Sequence, residues 1–188
     1  ATTEIYTLSL PDALPILLLL GFLVVHAAGN LLILKGPDAL NGYADWMQGH
    51  PLLWGFRLGL LGLFGVHIVT AVRLAHANRA ARPVPYRRIA RLGARLPGRL
   101  MVVSGLLLLA FLVFHLLHLT ARVVAQSGNP LLDDAGRVDV YGMLVAGFSQ
   151  PLIVTIYLGA MALLGLHLVH AIEGMFQTLG FNHDSYQT

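Results

Sequence analysis

The sequence predicts an all-α integral membrane protein built as a transmembrane four-helix bundle. Three observations lead there. The 188 residues are 56% hydrophobic and 11% charged, against about 25% charge in an ordinary soluble domain. Mean hydropathy is +0.72. Four apolar runs, 13–34, 52–76, 100–125 and 152–176, are each long enough to cross ~30 Å of hydrocarbon as a helix rising ~1.5 Å per residue. The connections between them are short, so residues 1–188 are read as a single transmembrane domain.

The elements follow in order. The first run is preceded by ATTEIYTLSLPDALPI, which has Glu4 and Asp12 but no Lys or Arg. It lacks the charged start of a secretory signal peptide, so the run from Leu14 is read as a span that stays. No site is placed on the first dozen residues. The connection after the second run carries Arg79, Arg82, Arg87, Arg88, Arg91, Arg95 and Arg99 without an acidic residue, which makes it cytoplasmic by the positive-inside rule. The other two connections hold Asp38, Asp45, Asp133, Asp134 and Asp139 and lie outside. The spans therefore run outward, inward, outward and inward. The arginine excess is explained by topology and calls for no nucleic acid.

There is no cysteine, which excludes disulfides, thiolate-held iron–sulfur clusters and covalent haem attachment within these residues. Any metal must be held by histidine or oxygen. Counting along each span puts His26 and His115 ~18 to 22 Å from the cytoplasmic edge, in the outer half. His67 and His167 lie ~22 Å from the outer edge, in the inner half. Two pairs at two depths, ~10 to 15 Å apart, suit two b haems stacked across the bilayer, each needing one neutral imidazole on either face. Glycines nearby, Gly29, Gly59, Gly62, Gly65 and Gly165, would let a flat macrocycle approach the backbone. Zinc fits less well, because each pair offers two ligands where a structural site takes four.

His118 and His170 each follow a paired histidine by three residues and lie about one turn away on the helix, so they cannot share its iron. They are read as polar partners facing the membrane edge nearest each haem, where propionates or quinone would sit; an interhelical hydrogen bond is the plainer alternative. His50 and His76 lie near the interfaces, and His183 lies beyond the last span.

With these residues placed, the chain resembles the diheme cytochrome b membrane anchor of succinate:quinone oxidoreductases, the succinate dehydrogenase and fumarate reductase family. The resemblance rests on LVVHAAGN around His26, GVHIVTAVRLAHANRAARPVPY from the second span, SGLLLLAFLVFHLLHLT in the third and GLHLVHAIEGMFQTLGFN in the fourth. It covers roughly residues 17–183. It implies that His26 and His115 hold a distal haem and His67 and His167 a proximal one. The SG pair, Ser104 and Gly105, ten residues before His115, favours His115 over His118, and the same comparison favours His167 over His170. It also implies a flavoprotein subunit with FAD and an iron–sulfur subunit docked on the cytoplasmic side, electron exchange with membrane quinone, menaquinone being expected, and a multi-pass location in a bacterial inner membrane. Family members carry a fifth span after the fourth-span motif; here it is expected to be missing or supplied by another subunit.

A quinone site is sought among Asp45, Trp46, His50, Trp54, Ser149 and Gln150 at the outer boundary, although interfacial Trp is an ordinary membrane anchor. Two other readings stay open. One is a diheme anchor of a hydrogenase or formate dehydrogenase. The other is a haem-free membrane protein whose histidines relay protons.

Overall fold

A computed structural model describes residues 10–80, 98–125 and 132–178. Most of the arginine-rich connection, His183 and the Leu179–Asn182 end of the fourth-span motif lie outside these residues. Among the described residues the fold is helical throughout, with one isolated bridge between Leu132 and Val138 in place of any strand.

Helix α1 (Leu10–Asn30) passes into a tighter 3₁₀ stretch, Leu31–Lys35. Gly36 ends it at φ +97°, a conformation that favours glycine, and Pro37 then occupies the first turn of α2 (Pro37–Gly49), where its missing N–H costs nothing. Helix α3 (Leu53–Ala80) and helix α6 (Pro151–Thr178) each have 28 residues, or ~42 Å of rise, more than a hydrocarbon core needs. Helix α4 (Gly98–His115) continues into a five-residue π-helical turn, Leu116–Thr120. The short α5 (Val140–Phe148) precedes α6.

Four helical stretches are long and apolar enough to span a membrane: Leu14–Lys35, Leu53–Ala77, Met101–Thr120 and Pro151–Ile172. Three match the sequence reading within a few residues. The third ends five residues earlier than expected from 100–125, because the chain leaves the π turn through Arg122 at φ 58° and Ala125 at φ 53°. These left-handed residues break a helix that hydropathy alone would extend.

The spans pack in two layers, α1 against α3 and α4 against α6, while α1 meets α4 and α3 meets α6 at hardly any point. Few apolar side chains are buried within the chain; Leu19, Leu40, Ile153 and Ala160 are the ones among the described residues. The apolar faces of the spans are therefore outward, as lipid-facing helices require.

At the end where α2 and α5 lie, a polar clasp joins the two intervening connections. Asn41 is fully buried and donates to Asp133 (3.2 Å) and Asp139 (3.0 Å), while its carbonyl oxygen accepts from the Tyr141 amide (2.8 Å). Arg137 closes the ring through Nε on Asp133 (2.8 Å), and Asp139 caps α5 by accepting from the Gly142 amide (2.9 Å). Hydrogen bonds from Arg137 above all hold the Asp133 carboxyl below its ordinary value.

Two outcomes follow for the clasp. Asn41→Ala removes one donor from each of two carboxylates and leaves the Tyr141 amide without its acceptor, and should cost about 2 kcal/mol in reversible unfolding of the detergent-solubilised chain. Because the Asp133 value is lowered in the folded state, its contribution is complete above the ordinary carboxylate value of 3.8 and is lost as pH falls below it. Thermal melts from pH 6 downward should show that loss in the wild type and not in Asp133→Asn.

Candidate functional site

Each helix layer presents two histidines to the other. His26 of α1 faces His115 of α4 with ring centroids 5.9 Å apart and planes at 82°. His67 of α3 faces His167 of α6 at 6.4 Å and 80°. The pairing is the one expected from depth. It joins the helices that otherwise stand apart, so the imidazoles meet across the gap between layers.

The two pairs sit at different heights. Ser104 on α4 reaches His167, and Tyr157 on α6 reaches His115. Ser104 precedes His115 by 11 residues, and Tyr157 precedes His167 by 10. Both helices thus place the pairs ~15 to 17 Å apart along the axis, at or just beyond the upper end of the separation counted from sequence.

Ser104 fixes the chemistry of His167. Its hydroxyl lies 3.1 Å from the Met101 carbonyl oxygen and 2.9 Å from His167 Nδ1. The carbonyl can only accept, so the single hydroxyl proton goes there and Nδ1–H of His167 donates to the Ser104 oxygen. His167 is held as the Nδ1–H tautomer, with a bare Nε2 lone pair. Gly105 lies alongside, where a Cβ would come within 3.6 Å of the His167 ring. The sequence singled out Ser104 as a marker for His115; the structure places it on His167.

Tyr157 serves the other pair. Its hydroxyl lies 3.2 Å from His115 Nδ1 and 3.0 Å from His118 Nδ1. One phenolic proton cannot satisfy two bare nitrogens, so at least one of these histidines carries its proton on Nδ1. The ring is packed by Phe148 (4.7 Å between centroids), Phe111 (5.1 Å) and Phe114 (6.1 Å). Sequence reasoning missed Tyr157, since a lone tyrosine in an apolar run gives no spacing signal.

The doubled histidines do different things. His118 lies in the π turn that begins directly after His115, and its Nδ1 shares the Tyr157 hydroxyl with His115. It is fully buried, and its Nε2 has no hydrogen-bond partner among the described residues and abuts Gly147 of α5. His170 instead points Nδ1 at the Leu166 carbonyl of its own helix (2.9 Å). Gly29 lies beneath the Tyr43 ring of α2, where a Cβ would come within 3.0 Å; Gly59, Gly62, Gly65 and Gly165 face open space.

Trp46 and His50, with ring centroids 5.5 Å apart, line a groove of about 230 Å³ with Met47, Leu52, Leu53 and Phe56. Trp54 is turned away from it, with the Arg57 guanidinium 5.0 Å above its ring. Asp45, Ser149 and Gln150 are exposed, and the Ser149 hydroxyl donates to the Val145 carbonyl. Among the described residues no three His, Asp or Glu side chains converge as an all-protein metal cage requires. No family model, curated protein or solved structure matches the chain.

In ¹⁵N spectra of histidine-labelled protein, His167 should appear as a single neutral tautomer protonated at Nδ1. Ser104→Ala removes the acceptor and should return a mixture of both tautomers at that residue.

Proposed function

We propose that this chain is the membrane anchor and electron-transfer subunit of a succinate dehydrogenase or fumarate reductase complex, holding one b haem between His26 and His115 and a second between His67 and His167. The observation that carries the reading is the spacing of the imidazoles. With a metal–nitrogen bond of ~2 Å and a ring radius of ~1.1 Å, two imidazoles on opposite faces of one iron have centroids ~6.2 Å apart. The observed 5.9 and 6.4 Å bracket that value. A haem also needs two protein ligands per site and no more, because the porphyrin supplies the rest.

When bound, the two haems supply one-electron couples at two depths in the membrane. The residues of this chain do the holding. His26 and His115 would hold one haem and His67 and His167 the other, Ser104 presents His167 with Nε2 free, and the two helix layers hold the imidazoles within each pair 5.9 and 6.4 Å apart between ring centroids. Lipid-facing walls of Leu and Val keep water out.

The remaining parts of such a complex belong to partners. With no cysteine and no dinucleotide fingerprint in these residues, FAD and the iron–sulfur clusters reside on a flavoprotein and an iron–sulfur subunit on the cytoplasmic side of a bacterial inner membrane. The Trp46 and His50 groove, close to the end of the bundle that carries His26 and His115, is offered as the quinone site, with menaquinone as its occupant. Its small volume and apolar walls suit the ring of a quinone head group better than a charged substrate.

A second reading has one observation in its favour. The hydroxyl of Tyr157 bridges two histidines, an arrangement that a haem-free proton relay would also use. Optical spectra separate the two. A dithionite-reduced minus oxidised spectrum of the purified complex should show two b haems per chain, and His67→Ala and His115→Ala should each retain about one. A chain with no Soret band, or variants that keep both haems, would instead favour the relay.

A further inference from the structure

We infer that Tyr157 and His118 form a positioning relay for one haem ligand: Tyr157 accepts from Nδ1–H of His115 and donates its own proton to Nδ1 of His118. This inference rests on the haem reading above and assigns to two further residues the task of setting the potential of the His26/His115 haem.

The geometry leads there in three steps. First, His115 can offer Nε2 toward His26 only if its proton sits on Nδ1, and the atom within reach of that proton is the Tyr157 oxygen at 3.2 Å. Second, the phenol must then place its own proton elsewhere, and His118 Nδ1 at 3.0 Å is the acceptor at hand. Third, His118 sits in the π turn from Leu116 to Thr120, fully buried, with its Nε2 against Gly147 and its Nδ1 on the Tyr157 hydroxyl. A fully buried imidazole whose Nε2 has no partner among the described residues is an expensive thing to keep in a membrane span, and among those residues its polar contact is the bond to Tyr157.

The surroundings make the hydroxyl the element that matters. Phe111, Phe114 and Phe148 cage the Tyr157 ring from α4 and α5, so the ring would stay in place without its oxygen. The two haems would also differ by construction. One ligand is backed by an aliphatic hydroxyl committed to a carbonyl (Ser104), the other by a phenol committed to a second imidazole (Tyr157). An acceptor on the far nitrogen of a ligating imidazole makes the ligand more basic and favours the ferric state, so its removal raises the potential.

The test is an optical redox titration of the intact complex, comparing wild type, Tyr157→Phe and His118→Leu, with haem quantified in each. In Tyr157→Phe both haems should be retained, and one of the two couples should move to higher potential by a tenfold change in its ferric-to-ferrous ratio, ~59 mV for one electron. The other couple should not move. In His118→Leu the phenolic proton loses its acceptor and turns on His115 Nδ1, so occupancy of that haem alone should fall. Unchanged potentials and occupancies in both variants would overturn the relay and leave the haem sites standing. A wild-type complex without haem would overturn the reading on which it rests.

Discussion

An imidazole placed in a membrane span is costly unless its polar atoms are put to use, and the placement of six of them organises this chain. Four meet in two pairs across the gap between the α1/α3 layer and the α4/α6 layer. The other two, His118 and His170, are tied to Tyr157 and to a backbone carbonyl. Hydroxyls in the spans follow the same rule: Thr70 and Thr155 bond carbonyls of their own helices. In lipid there is no water to take up an unpaired donor, so these local bonds decide which faces can look outward.

The second layer shows a reciprocal bracing of histidines. Helix α4 supplies the hydroxyl that orients the histidine of α6, and α6 supplies the hydroxyl that orients the histidine of α4. Each bond crosses the same helix pair, ~15 Å apart in height, so the two sites share one rigid interface. The π turn at the end of α4 carries His118, which shares the Tyr157 hydroxyl with His115, while His115 also meets His26 and His118 abuts Gly147. Beyond it the Asn41 and Arg137 clasp ties α2 to the segment leading into α5, which positions Gly147 and Phe148 against His118 and Tyr157.

The spans and the histidine pairing could be read from the chain because both depend on position along a helix of fixed rise. Hydropathy locates the ends within a few residues, and counting from those ends gives depth. What depends on direction around the helix was less legible. The role of Ser104 toward His167, the aim of His118 at Tyr157 and the burial of Asn41 between two aspartates all come from contacts between segments 39 to 98 residues apart. The early end of the third span was also hidden, because Arg122 and Ala125 adopt left-handed backbone without being glycine. Helices α2 and α5 escaped notice for another reason: at 13 and 9 residues they are too short to stand out by hydropathy.

The central claim is that the two imidazole pairs are two separate bis-histidine iron sites. It is tested most directly by electron paramagnetic resonance of the oxidised, purified protein with haem counted per chain. Imidazole planes at 82° and 80° predict two low-spin ferric signals, both of the strongly anisotropic kind that near-perpendicular axial imidazoles give, at two haems per chain. A high-spin signal, a single low-spin species, or no haem at all would contradict it.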